Sequence, residues 1–265
     1  MPDPQYVFVT GATGAIGKAI ASNLAKNSDF HLTLIVRNEK KAMIAVDDIR
    51  NQTGNQHVDF MIVDLADHRQ IYALARSWDK PLHILINNAA ASPRERMENK
   101  YGIELQFATN VLAYFSMMDA FSRHLKQSAQ PRVVNVASYW AGGLDLTDLQ
   151  FRRRRYDNDA AYRQSKQADR MLSRAFAERL KDHPVSVNSC HPGDVNSNLS
   201  NDLGFGGFES PDQGAATPVW LATMPAGIEN SGKYFEHKKE TTCHFSQDIE
   251  AVNRLYAICE EMAAL

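Results

Sequence analysis

The chain has 265 residues, and its 29 Lys and Arg against 31 Asp and Glu leave a formal net charge of −2. That balance removes the electrostatic basis for a nucleic-acid or anionic-membrane partner, and a chain of this length buries enough surface to need no disulfide or metal staple. Cys190, Cys243 and Cys259 form neither a CxxC pair nor a disulfide framework, so no metal site is expected and a reducing cytoplasm is the expected location.

The apolar runs fall far short of the roughly twenty residues that span a bilayer. No basic region with a long apolar stretch precedes the first strand, so neither a signal peptide nor a membrane anchor is expected. Short β-branched runs then alternate with stretches of helical spacing, the pattern of βαβ units around a parallel sheet. In chain order the reading is a strand at Tyr6–Val9, a helix at Ala15–Lys26, a strand at His31–Val36 and a helix at Glu39–Asn51. A strand at Val58–Val63, a helix at Arg69–Ser77, a strand at Leu82–Ile86 and one long helix from about Gly102 to Lys126 follow. Next come a strand at Arg132–Val136, a helix at Asp159–Lys181 and a strand at Val185–Asn188. The last third offers a helix near Asp212–Ala222, a short strand at Gly232–Phe235 and a terminal helix from Ser246. The expected fold class is α/β: one doubly wound Rossmann-type domain over residues 1–265, with a central parallel sheet of about seven strands and helices on both faces. A substrate lid is expected at about 196–225, centred on the irregular stretch Asn196 to Ser210, because long loops in compact domains tend to cover sites.

Thr10-Gly11-Ala12-Thr13-Gly14-Ala15-Ile16-Gly17 follows the first strand and opens the first helix. Glycines there permit a tight turn and close backbone approach, so a pyrophosphate can rest on the helix N-terminus; a purely structural turn is the alternative. Where an Asp or Glu would read the ribose 2′-hydroxyl of NAD, at the end of the second strand, stands Arg37. A guanidinium makes bidentate bonds to a 2′-phosphate, which favours NADP(H) over NAD(H), with Asn38 and Lys41 as helpers. The alternative is an ordinary exposed arginine.

Tyr162 and Lys166 stand four residues apart, on one helix face. A nearby ammonium favours a phenolate, which suits proton transfer, although the same spacing arises by chance in amphipathic helices. Asp64-Leu65 follows the third strand and Asn87-Asn88-Ala89 the fourth; Asn110 lies in the long helix, Ser138 follows Val133 to Val136, and Pro192-Gly193 follows the sixth strand. Together with the glycine loop, these motifs make the chain resemble the short-chain dehydrogenase/reductase family across positions 10 to 193.

That resemblance implies that Tyr162 is the general acid/base, that Ser138 stabilises the charge on the same substrate oxygen, and that Lys166 lowers the tyrosine pKa and holds the nicotinamide ribose. Asn110 would support a water linking Lys166 to solvent. Asp64, beside Leu65, would bond the adenine amino group. Asn87, with Asn88 and Ala89, would meet the adenosine ribose. Pro192, Gly193 and Val195, with the Ser197 hydroxyl, would hold the carboxamide and phosphates.

Three features depart from the common pattern. The glycines at 11, 14 and 17 follow the spacing of the family's larger sugar-nucleotide-modifying branch. Ala90 stands where glycine is usual, and the 23 residues between Ser138 and Tyr162 exceed the usual gap. The long gap, Val36-Arg37, Ala161 to Lys166, His191-Pro192-Gly193 and Ser231 to Phe235 together resemble the retinol dehydrogenase-like subfamily. The implied function is an NADP(H)-dependent alcohol dehydrogenase or carbonyl reductase for an apolar small molecule, as a homodimer or homotetramer. A sugar-nucleotide epimerase or dehydratase would need more than Asp194–Leu265 as its substrate domain. A non-catalytic NADP(H) sensor would not need Ser138, Tyr162 and Lys166. Leu199, Leu203, Phe205 and Phe208, with Tyr139 and Trp140, suit an apolar substrate or simply a core, and Arg152 to Arg155 reads as a solvated face sooner than as an anion grip.

Overall fold

In the computed structural model, which describes residues 3–264, the β-branched runs form β1 (Gln5–Thr10), β2 (Phe30–Val36), β3 (Val58–Ile62), β4 (Ile84–Asn87), β5 (Arg132–Val136), β6 (Ser186–Cys190) and β7 (Tyr234–Glu236). A further strand, β8 (Lys239–Thr241), completes one sheet in the order β3-β2-β1-β4-β5-β6-β7-β8. β1 to β7 pair in parallel and β8 is antiparallel to β7. The β7–β8 connection is the two-residue turn His237-Lys238, with φ of 47° and 63°. Such turns usually carry Asn or Gly, so the added strand has no conventional sequence signal.

Helices cover both faces because successive strand residues point to opposite sides. Val7, Val9, Leu34, Ile86 and Val134 pack with α1 (Ala15–Ala25), α2 (Glu39–Thr53) and a later helix at Pro211–Thr223. Phe8, Ile35, Leu85 and Val133 face α3 (His68–Ser77), α4 (Ala113–Ala120), α5 (Ser122–Leu125), α6 (Asn158–Arg179) and the terminal helix at Ile249–Ala263. α7 (Asn198–Asp202), α8 (Pro211–Thr223), α9 (Ala226–Glu229) and α10 (Ile249–Ala263) complete the chain. Among the described residues no helix is long and apolar enough to cross a membrane.

Two expectations change. The single helix from Gly102 to Lys126 is instead a π-helical turn, Phe107–Leu112, running into α4, a break at Phe121, and α5. Gly102 is left-handed at φ 72° and Glu98 bridges to Glu104, which keeps that stretch out of the helix. Phe121 leaves helical geometry while its ring packs on Phe8 at 5.1 Å. The second half of the expected lid is α8, whose Ala215, Leu221 and Ala222 are buried in the core; only residues 196–210 form a surface segment.

At the opposite end of the sheet, Asn55 follows the left-handed Gly54 that closes α2. Its Nδ2 donates to the carbonyls of Ala25, Asn27 and Phe30, and its Oδ1 accepts from His57 N–H. Asn55→Ala should leave these buried groups unpaired and lower Tm by about 4–8 °C, for a loss of about 2 kcal/mol. A thermal melt checks this, and the site should remain intact.

Candidate active site

β1 and β4 are neighbours whose onward connections run to opposite ends of the sheet, so a crevice opens at their C-terminal ends. Polar ties hold its edges. Thr10 Oγ1 accepts from Asn88 N–H at 2.8 Å and Ala89 N–H at 3.1 Å and donates to Ile86 O at 3.3 Å, while Asn88 Nδ2 donates to Thr10 O at 2.9 Å. Gly11, at φ 65°, lies so close that a Cβ would sit 2.8 Å from Ala89 Cα. A Cβ on Gly17 would come 2.4 Å from Gly11 O and 2.6 Å from Asn88 Nδ2. The glycines at 11 and 17 are thus demanded by this packing.

α1 starts at Ala15 with Gly14 as its N-cap, no side-chain cap and no acidic residue in its first turn. By contrast, Asn38, Asp67, Asp157, Ser210 and Asp248 cap α2, α3, α6, α8 and α10. The uncapped N–H groups of Ala15, Ile16 and Gly17, together with the helix dipole, fit a phosphate anion. Thr13 is half-buried in the same loop. Arg37 is exposed at the end of β2. Asn38 beside it accepts from Lys41 N–H at 3.0 Å, so its side-chain oxygen serves the cap. Asp64 is exposed after β3, its Oδ1 accepting from Ala66 N–H, and Leu65 is buried.

Asn87 does not face the crevice with its side chain. It is fully enclosed, donating to Asn135 Oδ1 at 2.9 Å; Asn135 Nδ2 donates to Ser173 Oγ at 2.8 Å, and Ser173 Oγ donates to Asp169 O at 2.7 Å. This chain of bonds joins β4, β5 and α6 beneath the site.

Asp157 caps α6, and from its first turns Tyr162, Ser165 and Lys166 face the sheet. The Tyr162 hydroxyl lies beside the Ser138 side chain. Burial pushes the Tyr162 phenol above the ordinary tyrosine range, the neighbouring Ser138 hydroxyl opposes this, and the carboxylates of Asp169 and Asp194 add to the rise. Ser138 follows β5, its Oγ accepting from Trp140 N–H at 3.2 Å. Lys166 is 2% exposed; its Nζ lies 5.8 Å from the Tyr162 ring centre and 5.0 Å from that of Tyr114. It donates to Val136 O at 3.0 Å and Asp169 Oδ2 at 2.9 Å, which leaves one of three N–H donors.

Asn110, in the π-helical turn, is likewise enclosed. Its Nδ2 donates to Ala91 O at 3.0 Å and Ser165 Oγ at 3.1 Å, and its Oδ1 accepts from Ala91 N–H at 2.8 Å. Both amide hydrogens are therefore committed to holding the 88–92 loop against α6. Pro192, Gly193 and Val195 line the exit of β6. Gly193 has φ 110°, and Glu209 Oε2 accepts from Asp194 N–H beside it at 2.5 Å. Ser197 caps α7 through Ser200 N–H at 3.1 Å, so its hydroxyl is engaged locally. Phe205 meets Trp140 in a tilted ring contact at 4.5 Å between ring centres, and Phe208 is 84% exposed. His191 is buried against Tyr139 at 4.5 Å and burial drives its pKa down to about 3, so it stays neutral.

Two buried charges escape sequence reasoning. Asp169 and Arg170 sit on the inner face of α6, where ionic residues are rare. Arg170 stacks on the Tyr234 ring and donates to Ser138 O, anchoring the backbone of the serine from behind. The available signal was position alone: Asp169 lies three residues after Lys166, on the stripe that starts at Tyr162.

The family pattern described as short chain dehydrogenase matches residues 5–204. Human retinol dehydrogenase 13 is 32% identical over 98% of this chain and 85% of its own length. Human polyprenol dehydrogenase is 31% identical over 100% of this chain and 87% of its own. Among solved structures, an uncharacterized protein from Mycobacterium paratuberculosis superposes with a TM-score of 0.84 at 24% identity, covering 99% and 94% of the two chains. A short chain dehydrogenase from Escherichia coli CFT073 complexed with NADPH gives 0.71 at 20% identity, covering 89% and 98%. The chain belongs to the short-chain dehydrogenase/reductase family and is retinol dehydrogenase-like.

Gly17→Ala tests the packing of the crevice. The new methyl must displace Gly11 O and Asn88 Nδ2, so the variant should lose about 1–3 kcal/mol in a denaturant melt and open the Thr10–Asn88 ties.

Proposed function

We propose that the chain is an NADP(H)-dependent oxidoreductase that moves a hydride between the nicotinamide and a carbonyl or alcohol of an apolar substrate. The observation that carries this reading is the juxtaposition of the Tyr162 and Ser138 side chains with the Lys166 ammonium 5.8 Å from the tyrosine ring. The first turn of α1 would hold the pyrophosphate, Arg37 the 2′-phosphate, Asp64 the adenine amino group, and the backbone of Pro192 to Val195 the carboxamide. Lys166 would give its remaining N–H to the nicotinamide ribose. When bound, the cofactor supplies the hydride in reduction and accepts it in oxidation.

The chain's own residues manage the proton and the charge. Tyr162 Oη donates its proton to the carbonyl oxygen in reduction and takes the alcohol proton in oxidation. Ser138 Oγ donates a hydrogen bond to the same oxygen and stabilises the negative charge that develops there. Arg170, gripping Ser138 O, keeps that hydroxyl in place. Asn110 fixes α6 to the 88–92 loop, so Tyr162 and the crevice edge keep their separation. Tyr139, Trp140 and Phe205 offer an apolar aromatic wall next to Ser138, which supports an apolar substrate.

Because burial keeps Tyr162 protonated at neutral pH, it is ready to act as an acid there. Carbonyl reduction should therefore hold through neutrality and decline as pH rises, while alcohol oxidation should climb over the same range. Tyr162→Phe should lower kcat about 10²–10⁴-fold, with Tm and cofactor affinity retained. A variant that reduced a panel of apolar carbonyls at the parent rate would overturn the mechanism.

Arg37→Ala should weaken NADPH binding about 10–100-fold, the loss of charge-assisted hydrogen bonds, and leave NADH binding unchanged. Fluorescence titration with both cofactors reads the ratio. Equal losses would remove the assignment of Arg37.

A further inference from the structure

Asp169, the acidic half of the buried ion pair on α6, has no part in the roles given above. Tyr162, Lys166 and Asp169 occupy positions i, i+4 and i+7 of one helix, a single inward stripe. Asp169 is 0% exposed and Lys166 2%, and their charged atoms lie 2.9 Å apart. Asp169 Oδ1 has no hydrogen-bond partner among the described residues. An Asn would fill the same space and carry no charge. A buried carboxylate with an unpaired oxygen is costly for packing alone, so its charge is the feature that needs a use.

We propose that Asp169 is a positioning residue that sets the field of Lys166 at Tyr162: its carboxylate fixes Nζ against Val136 O and opposes the ammonium, so the tyrosine holds its proton to higher pH and the site favours carbonyl reduction. The inference rests on the assignment of Tyr162 as the proton-transferring group. The ammonium alone would favour the phenolate; with a carboxylate at 2.9 Å, the tyrosine meets a nearly neutral pair. The groups around the pair leave Asp169 as its direct counter-charge. Tyr114 from α4, Cys190 from β6 and Cys259 from α10 face it, and burial drives the pKa of each upward, so they are neutral near pH 7. On α6, Arg170 is directed to Ser138 O and Tyr234. Across the crevice, Asp194 acts on Tyr162 in the same sense as Asp169. Burial raises Asp169 itself while Lys166 pulls it back, so Asp169 ionises before Tyr162 does as pH rises.

The test is a pH titration of the resting protein by NMR, with [13Cζ]tyrosine to follow Tyr162 and [13Cγ]aspartate to follow Asp169. In Asp169→Asn the Tyr162 resonance should titrate about one pH unit or more below the parent, and Asp169→Glu should restore the parent value. The acid limb of kcat/KM for alcohol oxidation should move down with it. An unchanged Tyr162 titration in Asp169→Asn would overturn the proposal. If that variant does not fold, the parent decides: an Asp169 carboxyl that stays protonated while Tyr162 titrates would overturn it, and one already ionised supports it. A shifted Tyr162 titration in a protein without dehydrogenase activity would instead overturn the proposed function and leave the field-setting role of Asp169 standing.

Discussion

An ammonium enclosed by protein must be met by acceptors, and the site is organised around that requirement at Lys166. Val136 O, at the last residue of β5, accepts from Lys166 Nζ at 3.0 Å and from the Tyr114 hydroxyl at 3.3 Å. One carbonyl therefore fixes α4 and α6 to the same strand end. Because Ser138 lies two residues further on, the bond that places the lysine also sets the distance between the serine and the tyrosine. Burial makes each of these polar contacts costly to break, since a group left unpaired there has no water to turn to.

The same logic runs down through the sheet. Asn87, Asn135 and Ser173 pass hydrogen bonds from β4 to α6 and end on Asp169 O. On the other side of the switch point, Thr10 and Asn88 lock β1 to β4 just where the glycine loop departs. Two polar networks thus hold the two walls of one crevice, one under Ser138 and Tyr162 and one under the uncapped helix. Arg170 adds a third brace from β7 through Tyr234. Stability and site geometry are here the same set of bonds.

Strands β1 to β6 were legible because a parallel sheet covered on both faces needs nearly continuous apolar runs, and Phe8, Ile86 and Val134 supply them. The Tyr162–Lys166 pair was legible because its spacing is local. What was not legible depends on distant partners. The π-helical turn exists where Asn110 must reach both Ala91 and Ser165, and nothing in residues 107 to 112 alone signals it. Asn87 reads as a crevice residue from its motif, yet Asn135, on the neighbouring strand, takes its side chain inward. Asp169 and Arg170 look like solvent-facing charges by residue type, and only the depth of α6 in the core reverses that reading. The helix near Asp212–Ala222 was legible from its spacing, but its burial in the core was not, so the expected lid overruns Ser210, where the reciprocal Ser210–Gln213 cap starts α8 at Pro211.

The long stretch between Ser138 and Tyr162 bears on where the site can adapt. Its arginines wrap one buried carboxylate: Asp148 accepts the backbone N–H groups of Arg152, Arg153 and Arg154 and the Arg154 Nε at 3.3 Å. Arg154 continues to Gln164 on α6 at 3.1 Å, and Gln164 donates to Leu149 O at 2.7 Å. Tyr156 reaches Pro93 O at 2.9 Å and accepts from Gln106, which ties the far end of the insert to the approach to α4. The insert is thus held from both ends by polar bonds. Residues 196–210 are held differently: Asn196 N–H donates to Glu209 O at 3.1 Å, the N–H groups of Phe208 and Glu209 donate to Asp194 O at 2.8 and 3.0 Å, Ser200 Oγ donates to Gly206 O at 3.0 Å, and Phe205 meets Trp140, with Phe208 bare to solvent. The two ends of this segment close on each other through Asp194 and Glu209, so the ring of Phe205 and the exposed Phe208 sit at the tip of a closed loop. Under the proposed function, the Phe205–Trp140 contact is where this segment would meet a substrate beside Ser138, while the insert would keep its shape.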